Sequence, residues 1–224
     1  ELRRNDLHAG IRPTLRPDTL PGAWRFAIQI NLTTGVQTVW GPIARLAVGG
    51  LLGPAGAALF RIASSLADSA QKPADLLAKA FYPEIVRMDL SSRKPWKLML
   101  RGTALAGAVG IASILVLLVV GKPLIHTLFG KEFVGAYPVI MVLIVAPLLT
   151  IVSFPLPSML YALDRPDAPL KARLIGTIIF FVTIAPLAWA RDVIGAAMAF
   201  VAGTAAMVVV LIWQLWREYH RVRA

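Results

Sequence analysis

Residues Ile194–Trp216 read IGAAMAFVAGTAAMVVVLIWQLW and contain no charged side chain. A helix needs about 20 residues to cross the roughly 30 Å hydrocarbon core of a bilayer, and its backbone polar groups must be paired within the segment. The stretch meets the length requirement and carries nothing that lipid would exclude. It therefore predicts a transmembrane helix.

Five further stretches upstream of this segment have similar length and apolar character. They are Ala23–Val48, Pro54–Lys79, Leu98–Val120, Ala136–Ala162 and Leu170–Trp189. The first two carry polar residues in mid-segment, as helices beside a water-filled cavity do. The pattern predicts an all-α, polytopic bundle of about six transmembrane helices.

The composition agrees with a membrane protein. Of the 224 residues, 57% are hydrophobic and only 16% are charged, which is too apolar for an ordinary soluble domain of this length. The net charge of +11 does not indicate nucleic acid, because the basic residues form clusters between apolar runs rather than one basic face. We therefore expect the lipid bilayer as a partner and no nucleic acid.

Most of the 23 basic residues lie in connections on one side of the predicted bundle. By the positive-inside rule that side is cytoplasmic, so both ends of the chain are predicted to be cytoplasmic, in a bacterial inner membrane. Residues 1–20 are predicted to be a cytoplasmic segment and residues 21–224 a six-helix transmembrane lobe. Because the chain begins with Glu1, we expect it to continue a longer protein whose upstream lobe is missing.

Small residues and prolines predict how the helices pack and bend. Small residues recur every fourth position at Gly102, Ala106 and Gly110, and again at Gly195, Ala199 and Gly203. Such spacing lets helix backbones approach closely, so both series are predicted packing seams. The prolines of the fourth segment, at positions 147, 155 and 157, predict kinks. The stretch Lys122–Phe133, KPLIHTLFGKEF, is amphipathic and is predicted to lie along the outer surface.

A polar stripe follows the first segment in steps of four residues. It includes Gln29, Gln37 and Arg45, which lie on one helical face. The two glutamines could hydrogen-bond to neighbouring helices or line a cavity, and the sequence does not decide between these roles. Arg45 is expected at the outer membrane edge, where its side chain can reach water.

A second stripe in the next segment contains Arg61, Asp68 and Lys72. Asp68 and Lys72 are four residues apart and can neutralise each other. Arg61 would lie about 10 Å below the outer edge, with no acid nearby in sequence. An ionisable residue at that depth indicates a function, and guanidinium binds phosphate in a two-pronged geometry. The alternative is that Arg61 extends to the surface or pairs with an acid outside this chain.

Enzyme motifs are absent from the sequence. It has no HExxH, GxxxxGK[ST] or GxSxG pattern, and no cysteine for thiolate metal ligands or disulfides. We therefore expect no enzymatic activity, no catalytic residues, no metal site and no cofactor.

Two stretches resemble one family of transporters. Ala58–Asp89, ALFRIASSLADSAQKPADLLAKAFYPEIVRMD, and Ile125–Ile144, IHTLFGKEFVGAYPVIMVLI, are similar to bacterial polysaccharide and lipid-linked oligosaccharide flippases of the multidrug/oligosaccharidyl-lipid/polysaccharide exporter superfamily. The resemblance implies two lobes of about six helices around a central cavity, of which this chain would be the C-terminal lobe.

The resemblance also implies a substrate, a lipid-linked anionic glycan carried on undecaprenyl pyrophosphate, and a cationic cavity. We carry that cationic character onto Arg45, Arg61 and Lys72. Two alternatives come from the same superfamily, a multidrug exporter and a flippase for the peptidoglycan precursor. A different class is a membrane-embedded polysaccharide polymerase or ligase, which would need a larger outer loop for its catalytic groups. An assembly subunit without transport activity is a further possibility.

Overall fold

The computed structural model describes residues 23–88, 94–128 and 130–223, without the side chains of residues 70–82 and of some isolated positions. Within these ranges the chain is helical and contains no strand, which confirms the all-α class. The helices are α1 (Ala23–Val86), α2 (Lys94–Leu128), α3 (Ala136–Leu143), α4 (Val145–Ser153), α5 (Pro155–Ala162) and α6 (Asp167–Arg223), with a 3-10 turn at Lys131–Phe133 between α2 and α3.

Helix α1 is a hairpin that reverses direction at Gly53. This residue has φ 72° and ψ −174°, a conformation that is essentially restricted to glycine. A Cβ placed on Gly49 would lie 3.5 Å from Cβ of Ala57, although eight residues of straight helix span about 12 Å. The stretches Ala23–Val48 and Pro54–Lys79 therefore form the two arms of one hairpin.

Helix α6 is a second hairpin, with its break at Arg191 and Asp192, whose φ values are −144° and 52°. A Cβ on Gly203 would lie 2.7 Å from the carbonyl oxygen of Gly176, so the two arms touch backbone to backbone. The predicted seam through Gly195 and Gly203 is confirmed. The helix begins at Asp167, three residues before the predicted start.

The prediction that Lys122–Phe133 lies along the outer surface is wrong for residues 122–128. Helix α2 continues through these residues to Leu128 and includes Pro123. Ile125 is fully buried in the same cluster as Val139 and Ile140 of α3. This burial explains why the amphipathic stretch extends a packed helix instead of lying separately on the surface.

The predicted segment Ala136–Ala162 is divided into three short helices, α3, α4 and α5. The breaks fall at Ile144 and Phe154, and α5 has Pro155 in its first turn. The N–H of Phe154 bonds to the carbonyl of Ile151, a tightened bond that closes the turn before the proline. The helix is thus interrupted near Pro147 and Pro155, as predicted, whereas Pro157 lies within α5 without a further break.

Four segments of the described residues are long and apolar enough to cross a membrane. They are Ala27–Ser69, Lys94–Val116, Ala136–Ala162 and Asp167–Arg221. Helix α2 exposes large apolar side chains such as Leu115 and Val119, as expected for a surface in lipid. Its opposite face packs on α4, where a Cβ on Gly110 would lie 2.8 Å from Leu148. The bundle core therefore lies between α1, α3 to α5 and α6.

Candidate functional site

Two adjoining cavities open onto the surface of the bundle, between the α1 hairpin, the kinked helices and both arms of α6. Their volumes are about 330 Å³ and about 280 Å³. Both are lined by Gln37 of α1, Thr150 of α4 and Arg173 of α6. These three residues form the shared wall, so the two cavities form adjoining compartments within an otherwise apolar bundle.

The first cavity is the more polar and charged. Besides the shared wall, its polar lining comprises Thr38, Arg45, Ser64, Asp68 and Thr204. Arg45 and Asp68, which carry opposite charges, line this cavity together. From the sequence we expected Asp68 to be neutralised by Lys72, four residues away. The α1 hairpin also brings Asp68 to the cavity that Arg45 lines.

The second cavity is more apolar. Its lining includes Ile30, Phe154, Met207 and Leu211, together with the hydroxyl residues Thr33, Thr34, Ser153, Ser158 and Tyr161. Some of these hydroxyl groups donate hydrogen bonds to backbone carbonyl oxygens of their own helix. Thr33 Oγ1 donates to the carbonyl oxygen of Gln29 at 2.8 Å, and Ser153 Oγ donates to that of Thr150 at 3.2 Å. This cavity is therefore lined by more apolar side chains than the first, together with several hydroxyl groups.

The kinked helices supply one side of both cavities. Pro147 lines the first cavity and Pro157 the second. Each proline removes a backbone donor from its helix. Thr150 Oγ1 donates to the carbonyl of Ala146 at 3.0 Å, which leaves the oxygen of this hydroxyl able to accept from a ligand. The break at Phe154 thus lies at the wall of the second cavity, where a change of helix angle would alter the volume of that cavity.

The predicted site residues are only partly brought together. Gln37, Arg45 and Asp68 line the first cavity, whereas half-buried Gln29 lines neither cavity. Arg61 also lines neither; it is exposed on the same face of α1 as Asp68. The side chain of Lys72 lies outside the described residues.

The prediction missed Arg173. The positive-inside rule accounted for it as a basic residue at the cytoplasmic start of the fifth segment, but it lies in the second turn of α6 and is half-buried at the wall between the cavities. A signal was present in the sequence. Arg173, Gly176 and Phe180 are spaced by three and four residues, which places the arginine on the face of α6 that packs inward.

A separate charged cluster ties the start of α6 to its end. Arg165 pairs with Asp167 at 3.2 Å and with Glu218, and Lys171 pairs with Asp167 at 2.8 Å. Burial raises the pKa of Asp167, but the hydrogen bonds from Lys171 and Arg165 outweigh it and lower the pKa to about 2. The cluster lies before the apolar part of the helix and stabilises the open end of the hairpin.

No group of three His, Asp or Glu side chains that could hold a metal ion occurs among the residues that the structure describes. The cavities present guanidinium, amide and hydroxyl groups together with one carboxylate. This chemistry suits an anionic or hydrogen-bonding ligand better than a metal cation.

Comparison with known proteins gives one informative relative. The chain is 39% identical over 142 residues to inner membrane protein YghQ of Escherichia coli (strain K12), and the match covers 62% of this chain and 40% of that protein. No family model matches, and no solved structure matches. Together with its several apolar helices, the relative identifies the chain as a multi-pass protein of a bacterial inner membrane.

Proposed function

We propose that this chain is the C-terminal lobe of a flippase that moves a lipid-linked oligosaccharide or polysaccharide precursor, carried on undecaprenyl pyrophosphate, across the inner membrane. The observation that carries the proposal is the cavity containing Arg45 and Arg173 inside an apolar helix bundle. Charged side chains inside a membrane bundle are costly and mark substrate or ion pathways. Two arginines and one acid make the cavity suited to a phosphate group.

The proposal includes six membrane crossings. Continuous helices of 43 and 55 residues would measure about 65 and 80 Å, far more than the bilayer core. The reversals in α1 and α6 instead let each hairpin cross twice, and α2 and the kinked segment add one crossing each. An even number places both ends on the same side, which the basic clusters assign to the cytoplasm. Gly53 and Asp192 then lie at the outer side.

In the proposed mechanism the arginines hold the pyrophosphate while the lipid chain remains in the bilayer. Arg45 provides a guanidinium inside the first cavity, and Arg61 lies on the exposed face of α1, where a second lobe would close against it. Asp68, which is exposed and also lines the cavity, marks where the cavity opens onto that face. Rocking at the breaks in α3 to α5 would then open the site to each side alternately.

The test is export by the full-length protein, measured with a fluorescent undecaprenyl-pyrophosphate oligosaccharide in liposomes. We expect Arg45→Ala and Arg61→Ala each to reduce the transfer rate by about tenfold or more, because each removes a charge-assisted contact to phosphate. Arg61→Lys should recover part of the rate, since ammonium keeps the charge but loses the two-pronged geometry.

Arg101→Ala is the matched control, since Arg101 is an exposed arginine on α2 that lines neither cavity. It should transfer at the wild-type rate. Reconstituted amounts are measured for every variant. Wild-type protein that transfers no lipid-linked glycan would refute the function, and wild-type rates in both Arg45→Ala and Arg61→Ala would refute the roles of these arginines.

A further inference from the structure

A small pocket lies at the open end of the α6 hairpin and shares no lining residue with the two cavities. Its lining includes Arg165, Lys171, Trp213, Arg217 and Glu218, which come from both ends of α6 and from the turn before it. We call it the rim pocket. Its volume of about 100 Å³ equals that of roughly three water molecules. This space suits a group of phosphate size and is too small for a glycan or a lipid chain.

The ion pairs at this end of α6 bury the acids and leave bases exposed. The side chains of Asp167 and Glu218 are only 20% and 12% exposed, whereas those of their partners Lys171 and Arg221 are 62% and 65% exposed. An approaching molecule therefore meets the cations first. Basic residues also outnumber acidic ones in the lining of the rim pocket, so its electrostatic potential favours an anion.

An exposed indole forms one wall of the rim pocket. Trp213 is 55% exposed, and the guanidinium of Arg217 lies over its ring, 5.8 Å from the centroid. Tryptophan favours the headgroup level of a bilayer, where its ring contacts apolar chains and its N–H contacts polar groups. A guanidinium over an aromatic ring retains a planar fork of N–H donors, and this fork matches the oxygens of a phosphate.

Exposed apolar side chains continue from the rim pocket along both arms of α6. On the first arm Leu174 and Ile178 follow Lys171 at steps of three and four, and on the second arm Val209 precedes Trp213 by four. Each therefore lies on the same helical face as a residue of the pocket. Leu174, Ile178 and Val209 are all exposed. A ligand with its phosphate in the pocket would find apolar surface beside it for acyl chains, whereas a soluble anion would use the charges alone.

We propose that the rim pocket binds the phosphate of an anionic phospholipid of the surrounding bilayer, such as phosphatidylglycerol, between Lys171 and Arg217. Lys171 lies near the start of α6 and Arg217 near its end, so the bound lipid bridges the two ends of the hairpin. Basic pockets between transmembrane helices take up anionic head groups in this way. The lipid stays in its leaflet and is not transported, so the site does not depend on the proposed function.

The experiment measures the thermal unfolding midpoint of the purified full-length protein in maltoside micelles. The protein is titrated with dioleoyl phosphatidylglycerol, dioleoyl phosphatidylcholine or inorganic phosphate. A ligand that binds only the folded protein raises the midpoint as its concentration increases. We expect phosphatidylglycerol to raise it, phosphatidylcholine not to do so, and inorganic phosphate to require at least about tenfold higher concentrations, because it gains nothing from the apolar surface.

The variants locate the binding site. Arg217→Gln should bind phosphatidylglycerol about fivefold more weakly, and the double variant Lys171→Gln/Arg217→Gln at least about tenfold more weakly, because charge-assisted contacts are lost. Arg217→Lys should stay closer to the wild type, since ammonium keeps the charge. Arg101→Gln removes an exposed arginine of α2 and is the matched control. Each shift is measured from the ligand-free midpoint of the same variant, so a change in basal stability does not imitate a change in binding.

Four results would overturn the proposal. Equal stabilisation by phosphatidylcholine and phosphatidylglycerol would show that the charge of the head group is not recognised. Equal affinity for inorganic phosphate and phosphatidylglycerol would assign the pocket to a free anion. Wild-type binding by the double variant would exclude the rim pocket. Loss of binding in Arg45→Gln, with the rim variants unchanged, would move the lipid to the first cavity.

Discussion

The two helical hairpins, α1 and α6, have the same outline but opposite packing. In the most apolar stretch of α6 half of the residues are buried, compared with 22% of the residues in that of α1. The arms of α6 touch at Gly176 and Gly203 through their backbones. In α1 the positions Gly35 and Gly50 have open space around them, and a polar stripe with Gln37 and Arg45 faces a cavity.

This difference indicates a division of roles. Lipid provides no hydrophobic drive between helices, so close van der Waals packing of small residues is what holds a membrane hairpin together. Helix α6 has that packing and acts as the scaffold. Helix α1 uses part of its inner surface to line a cavity instead, and less of its apolar stretch is buried. The predictions below test this contrast.

The largest effect is expected at the seam of α6. A Cβ on Gly195 would lie 1.8 Å from the carbonyl oxygen of Leu187, which is far inside contact distance. Gly195→Ala should therefore force the arms apart and lower the free energy of unfolding by about 3 kcal/mol or more. The measurement is denaturant unfolding of the full-length protein in micelles.

Gly50→Ala is the matched substitution in α1, where a Cβ would meet nothing within 4 Å. It should be neutral or stabilising by up to about 1 kcal/mol, because alanine favours helix over glycine. Similar destabilisation by both substitutions would contradict the scaffold role assigned to α6.

A smaller effect is expected at the turns of the two hairpins. Gly53 adopts φ 72° and ψ −174°, so Gly53→Ala should cost about 1–3 kcal/mol through backbone strain. In α6 the corresponding turn already holds a strained residue, since Asp192 has φ 52° and ψ −135°. Asp192→Gly should therefore stabilise the protein by about 1 kcal/mol.

The same unfolding measurement checks both turn substitutions. If Gly53→Ala left the free energy of unfolding unchanged, the backbone conformation of Gly53 would not be what sets the α1 reversal. If Asp192→Gly lowered the free energy of unfolding, the strain assigned to Asp192 would be contradicted. Helical content by circular dichroism should stay the same in both variants, because only the turn is altered.

Run length and small-residue spacing predicted much of the fold. The apolar runs located the helical segments, and the series through Gly195 and Gly203 located the seam, because both depend on local spacing alone. The continuation of α2 through Pro123 was not predictable, since it depends on Ile125 meeting residues of α3. Whether a proline ends a helix or is accommodated depends on such tertiary contacts.

The candidate site was predictable only where polar residues interrupt an apolar run. Gln37, Arg45 and Asp68 stand out in that way and line the first cavity. Arg173 lies beside other basic residues at the start of an apolar segment, so the positive-inside pattern alone accounted for it. Its role depends on the approach of α6 to α1, which no local pattern reports.

The smallest effect concerns the charged cluster at the open end of α6, for which the described side chains of α1 show no counterpart. The pKa of Asp167 is lowered from 3.8 to about 2. A carboxyl group whose folded pKa is depressed stabilises the protein above its unfolded pKa and loses that contribution as the pH falls through the folded pKa. The stabilisation should therefore be complete above about pH 4 and disappear towards pH 2.

Asp167→Asn should accordingly lower the free energy of unfolding by less than about 1 kcal/mol at pH 7, well below what the full pKa shift implies, because the partner Lys171 is 62% exposed and screened by solvent. The difference between variant and wild type should shrink as the pH is lowered from 4 towards 2. Asp164→Asn is the matched control, because Asp164 is exposed in the preceding turn at φ 56°, a conformation that asparagine also tolerates. A difference between Asp167→Asn and wild type that persists undiminished at pH 2 would mean that packing of the side chain, and not its charge, stabilises this end of the hairpin.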